Sequence, residues 1–159
     1  MTQTLEREEE QVRNLLDRVE RVEAAAEQIE DQQPAVASDL RSVAEDALCD
    51  AGPVRLKIAA SLLDLSDRTV RTWADEGILD VVSEHPQRVD PVRLHRVWHL
   101  VRELRAAGRN RDLVSAVWYR LQDEALLDRG DLTTSLRQLR KGQVEPALTK
   151  DEEQAGPAH

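Results

Sequence analysis

Arg68, Thr69, Arg71 and Thr72 crowd into five consecutive positions of the stretch IAASLLDLSDRTVRTWADEGIL, residues 58–79, with Lys57 immediately before it. Guanidinium groups grip phosphate or read guanine bidentately, and hydroxyls at a helix start suit phosphate oxygens. The chemistry offered is therefore recognition of a polyanion. Such a cluster is unexpected in a chain whose formal net charge is -9.

The acidity is unevenly distributed. Residues 1–52 balance to -9, residues 53–145 to +2, and the remainder to -2. The middle of the chain is free to be locally basic while its flanks are acidic.

Reading outward from the cluster, the spacing predicts two short helices joined by a tight turn. Ile58, Ala59, Leu62 and Leu63 form an apolar face on the first helix. Asp64 must take the left-handed conformation in the turn, Leu65 packs beneath it, and Ser66 caps the second helix. Val70, Trp73 and Ala74 make the buried side of that helix. Asp67, Arg68, Arg71, Thr72 and Asp75 point away from it, and Gly77 stops it. Val81-Val82 and Arg88-Val89 flank Ser-Glu-His-Pro-Gln, which predicts a small β-hairpin. Asp90-Pro91 marks a further helix start, with its end at Gly108.

This pattern resembles the winged helix-turn-helix of the MerR and excisionase-like superfamily. Members carry Ile-Ala, then Leu-Gly-Val-Ser, then Thr-Val-Arg-x-Trp or Tyr, then Gly-x-Leu. Here those positions are Ile58-Ala59, Leu63-Asp64-Leu65-Ser66, Thr69-Val70-Arg71-x-Trp73 and Gly77-Ile78-Leu79. The likeness covers residues 54–110 and includes PVRLHRVWHLVRELRAAG, similar to the helix that packs on the wing. It implies that Arg71 grips the DNA backbone, that Arg68, Thr69 and Thr72 lie at the groove, and that Lys57 and Ser66 meet phosphates. The wing, SEHPQRV, offers Arg88 and His85, fewer basic groups than the family usually carries.

The flanking segments read as helices. Residues 5–32 lack Gly and Pro and carry a heptad pattern. Leu5, Val12, Val19 and Ala26 fall at a, and Glu8, Leu15, Val22 and Ile29 at d, which suits a parallel two-stranded coiled coil. The dimerisation residues expected are Leu5, Val12, Leu15, Val19, Val22 and Ile29; a single amphipathic helix lying on the globular part is the alternative. Pro34 ends this helix. A second short helix puts Val36, Leu40, Val43 and Ala47 on one stripe, and Gly52-Pro53 closes it. Beyond Gly108, a helix from residue 111 to about 127 carries Leu113, Val114, Val117, Trp118 and Leu121 on its inner face. Leu132, Leu136 and Leu139 mark a last helix, and the tail from 143 is expected to be disordered. The expected parts are thus 1–33, 34–52, 53–110, 111–142 and 143–159. The fold class expected is mainly α, with a winged helix-turn-helix and helical extensions on both sides.

Other constellations carry less. His95 and His99 share a helix face at metal-ligand spacing, but no acidic or cysteine helper accompanies them; a polar or DNA-facing flank beside Arg93, Arg96 and Arg102 is expected instead. Trp73, Trp98 and Trp118 are expected in the core, and the lone Cys49 as a small core or surface residue. No phosphate loop, nucleophile elbow or carboxylate pair calls for an enzyme, and no cofactor or metal is expected. The absence of an apolar span and of a signal-like N-terminus leads to an expectation of a cytoplasmic protein with no membrane partner.

Two functions follow as expectations. One is a sequence-specific transcriptional regulator acting on double-stranded DNA, with a dimeric bacterial repressor as the form expected. The other is an antitoxin or adaptor that binds a partner protein, such as a toxin, through SLRQLRKGQVEPAL or the N-terminal helices, with DNA binding for autoregulation.

Overall fold

The computed structural model describes residues 2–127, and these fall into two compact units divided after Val117. The first unit is mainly helical with one small antiparallel sheet. Its elements are α1 (Thr2–Ile29), α2 (Pro34–Ala51), β1 (Val54–Arg55), α3 (Leu56–Leu63), α4 (Asp67–Asp75), β2 (Val81–Glu84), β3 (Gln87–Val89) and α5 (Pro91–Ala106).

Most of the large, fully buried side chains lie within residues 54–106. Trp73, Leu63, Ile78, Leu79, Val70, Leu94 and Val97 are all but completely buried, the mutual burial of large aliphatic and aromatic surface that dominates folding free energy. Local chemistry sets each boundary. Asp64 takes the left-handed conformation (φ 53°, ψ 49°) that ends α3. Ser66 accepts from the Thr69 amide at 3.1 Å and so caps α4, as its position predicted. Gly77 (φ 84°) turns the chain after α4. Asp90 accepts from the Arg93 amide at 2.9 Å, and Pro91 opens α5, pre-organised for that place by its fixed φ.

The hairpin expected around Ser83–Gln87 is present as β2 and β3. A third strand joins it, in the order β1-β3-β2. β1 pairs Val54 with Val89 and Arg55 with Arg88; two residues are too few to leave a sequence signature.

α1 and α2 form a helical hairpin packed against each other and on the rest of the unit. Here the heptad seam has a different use from the one its spacing suggested. Val19 and Ala26 are 2% and 0% exposed within the single chain, so a parallel coiled coil along that seam has no access to them. Val12, Leu15, Val22 and Ile29 are half-buried along the helix, and Leu5 is half-buried beside α3. On α2 the buried residues are Ala37, Ala44 and Leu48, not the larger stripe of Val36, Leu40, Val43 and Ala47. Small side chains let α2 approach its neighbours closely, which turns the Val36 row outward.

Residues 113–127 are helical, with Val117 and Leu121 buried. Trp118 is 38% exposed, contrary to its expected core position: at 100° per residue it stands well round the helix from Val117. Trp73 and Trp98 are buried as expected, and Cys49 is exposed. No helix among the described residues is long and apolar enough to cross a membrane. The expected helix over Leu132–Leu139 and the tail lie outside the described residues.

Candidate nucleic-acid interface

Two arginines, between them holding three carbonyls, fix α4 relative to the elements around it. Arg105 donates from Nη1 to the Leu63 carbonyl at 2.8 Å and from Nη2 to the Asp64 carbonyl at 3.1 Å. It thereby satisfies acceptors left open at the end of α3. Arg93 donates from Nε to the Ile78 carbonyl at 2.9 Å, holding the chain just after α4. With the Ser66 cap and the burial of Val70 and Trp73, α4 is clamped at both ends and along its inner side.

Its outer side is presented to solvent. Arg68, Arg71, Thr72 and Asp75 are exposed, and Thr69 is half-buried. Ser66 and Thr69 share a 2.8 Å hydroxyl contact, and Thr72 donates back to the Arg68 carbonyl at 3.1 Å. The helix start therefore offers hydroxyls already oriented by local bonds.

The cationic groups converge from separate elements. An open cleft of about 640 Å3 is lined by Arg55 of β1, Lys57 of α3, Arg71 of α4, His85 and Pro86 of the β2–β3 turn, and Gln87 of β3. In the sheet, Arg55 stands directly opposite Arg88. Like charges in that position repel, and the Glu8 carboxylate beside Arg55 offsets part of that repulsion. Of the residues expected to touch nucleic acid, the fold gathers Lys57 and Arg71 in this cleft and sets Arg88 on the adjoining strand. Arg68, Thr69 and Thr72 stand on the outer side of α4, and Ser66 serves as its cap. Arg55 and Gln87 were missed; only knowledge of the β1–β3 pairing points to them.

Acidic groups border the same surface. Leu5 of α1 lines the cleft, as does Glu84. Glu8 of α1 lies 3.4 Å from Arg55 Nε, and Ser61 on α3 donates to Glu9. The Ser61 hydroxyl holds the Glu9 carboxyl below its ordinary value, an effect that burial opposes and Arg13 reinforces. Glu9 is thus anionic at neutral pH, and the start of α1 carries fixed negative charge to the rim of a basic cleft.

The two histidines face α1 and not the outer side of α4. His95 is 5% exposed, with Nε2 lacking a hydrogen bond 3.8 Å from Glu23. His99 Nδ1 lies 3.2 Å from Glu20 Oε1, and Arg102 donates to Glu20 Oε2 at 2.6 Å while stacking 4.6 Å over Trp98. Burial first, then repulsion from His99, pushes His95 down to about 4; Glu20 opposes and Arg96 adds to the fall. Of the two alternatives expected for this flank, polar or DNA-facing, the structure has the polar one: it is the seat of α1, where Glu20 meets His99 and Arg102. No protein-family model matches the chain, and neither a curated protein nor a solved structure matches it.

Proposed function

We propose that residues 54–106 act as a winged helix-turn-helix of the MerR and excisionase-like kind, and that the chain is a sequence-specific DNA-binding transcriptional regulator. α4 enters the major groove, with Arg68 and Thr72 at base edges and Arg71 on phosphate. Lys57 and Arg55 hold the backbone beside the start of α3. The β2–β3 turn lies along the flanking groove with His85, Gln87 and Arg88. The observation that carries this reading is the convergence of Arg55, Lys57 and Arg71 with the hairpin turn on one open cleft beside the exposed face of a rigidly clamped helix. Folding has gathered these cations from three elements of a chain that is acidic overall, and a cluster on one face is the electrostatic footprint of a phosphate contact.

The acidic start of α1 belongs to the same reading. Glu8 and Glu9 sit where DNA phosphates approach, so they weaken indiscriminate binding more than binding reinforced by base contacts. Partner-protein binding through SLRQLRKGQVEPAL concerns residues outside the described part of the chain.

The test is fluorescence anisotropy with a duplex from upstream of the chain's own gene and a scrambled duplex of equal length, across a salt series. The reading expects preference for the native duplex and a steep, linear fall of log affinity with log salt. Absence of measurable binding to any duplex at low salt contradicts it.

A further inference from the structure

The α1–α2 hairpin has a covered face and an open one. Leu16, Val19 and Ala26 of α1 and Ala37, Ala44 and Leu48 of α2 are buried. About a quarter turn round each helix lies a second apolar row. On α2 it holds Val36 (43% exposed), Leu40, Val43 (61% exposed) and Ala47; on α1 it holds half-buried Leu15, Val22 and Ile29. A cleft of about 430 Å3 runs between the rows, lined by Arg18, Arg21, Val22, Ala25 and Leu40. This is a contiguous aliphatic surface two helices wide, where a lone amphipathic hairpin has no reason to place one.

Its two edges carry opposite charge. On the α1 edge, Arg7, Gln11, Asn14, Arg18, Arg21 and Gln28 follow one another at alternating spacings of four, three and seven residues. That row contains no acid, although α1 holds eight of them. On the α2 edge stand Asp39, Asp46 and Asp50, all exposed and with no base among them. The row free of acids and the row free of bases border the same apolar strip.

We propose that this face is a two-fold interface on which a second copy of the chain completes a four-helix bundle, α1 of each copy lying over α2 of the other. The edges select this arrangement. A two-fold axis along the helices sets Arg21 towards the partner's Asp39 and Arg18 towards the partner's Asp46. The other two-fold, across the helices, stacks arginine row on arginine row and aspartate row on aspartate row. Both arrangements make every neighbouring helix pair antiparallel, the usual bundle packing, so the charged edges alone decide between them. At a rise of 1.5 Å per residue and ~10 Å between axes, the face is about 27 by 20 Å, or ~500 Å2 per copy. Doubled, this reaches the lower end of specific interfaces, consistent with a dimer that dissociates at roughly micromolar concentration. The interface stands independently of DNA binding; where both hold, it sets two α4 helices on one symmetry axis.

Sedimentation equilibrium of the full chain between about 1 and 100 µM tests it. The expected result is a concentration-dependent rise from 18.0 kDa to twice that mass. Val43→Asp, at an already exposed position, remains monomeric with unchanged circular dichroism and, at concentrations where wild type is also monomeric, an unchanged melting temperature. Arg18→Glu with Arg21→Glu weakens association at least tenfold. Mixing that variant with Asp39→Arg/Asp46→Arg restores a heterodimer, which a merely structural role for these residues does not produce. A wild-type mass of 18.0 kDa throughout, including a chain that pairs only with a different protein, overturns the proposal. So does a dimer indifferent to Val43→Asp and to the charge reversals, because its interface then lies elsewhere.

Discussion

Residues 54–106 and the α1–α2 hairpin belong to one compact unit but are held by different forces. The first region is fastened by groups that have a single place to go. Arg105 and Arg93 fill open carbonyls, Ser66 and Asp90 cap helices, and Trp73, Ile78 and Leu79 interlock at about 1% exposure. The hairpin buries Leu16, Val19 and Leu48 together with Ala26, Ala37 and Ala44, and its contact with the rest of the unit adds ion pairs: Glu20 with His99 and Arg102, and Glu8 with Arg55. Apolar interlocking is indifferent to salt and pH, whereas half-exposed ion pairs depend on both. The difference teaches that the cleft-bearing region is built to keep one shape, while the hairpin's seat on it responds to solution conditions.

The comparison breaks first at Trp73. Trp73→Ala removes the centre of the interlocked region and should cost about 3–5 kcal/mol by urea denaturation. Val43→Ala, on the open face of the hairpin, should stay within about 0.5 kcal/mol for the dilute chain. Comparable losses at the two positions erase the distinction.

His95 gives the next effect. Its folded value, about 4, lies below the ordinary 6.5, so the unfolded chain binds the extra proton. The contribution is complete above pH 6.5 and is lost as pH falls towards 4, by roughly 2–3 kcal/mol. The Glu23 carboxyl, raised by burial, acts with opposite sign: it favours the folded state at low pH and loses that contribution as pH rises through its folded value. Stability against pH for wild type and His95→Gln should differ in slope between pH 4 and 6.5, the variant being flatter. Parallel curves remove His95 from the account.

A smaller loss is expected at the cap. Ser66→Ala should destabilise by about 1 kcal/mol through the freed Thr69 amide, and Ser66→Asn by less. Smallest is the effect of Glu8→Gln with Glu9→Gln, which should raise affinity for a scrambled duplex two- to fivefold, about 0.5–1 kcal/mol. Unchanged affinity separates the start of α1 from the cleft.

The sequence was most informative where structure is set within a few residues. Asp64, Ser66, Gly77 and Asp90-Pro91 could be placed because turns and caps are local chemistry, and the alternation of Val70, Trp73 and Ala74 with Arg68, Arg71 and Thr72 orients α4 unaided. What depended on distant partners was hidden. The Arg105 contacts span 42 and 41 residues, and Arg55 joins the cleft only through its pairing with β3. Periodicity identified the stripes on α1 and α2 but could not say what covers them. On α1, Val19 and Ala26 meet their own chain while Leu15, Val22 and Ile29 stay half-buried; on α2 the bulky row lost the inner position to Ala37 and Ala44. The direction the histidines face is hidden for the same reason: Glu103 is a local partner of His99, but Glu20 and Glu23, which seat α1 against them, lie more than seventy residues away in sequence.

The central claim is that Arg71 and the cleft beside it hold a DNA phosphate. The most direct measurement is binding of wild type and Arg71→Ala to the same upstream duplex from low to moderate salt, with Tyr119→Ala, in the other unit, as a control. Arg71→Ala should weaken binding to native and scrambled duplexes alike and reduce the salt slope by about one, with the control unchanged. Superimposable curves for wild type and Arg71→Ala, in both affinity and slope, contradict it.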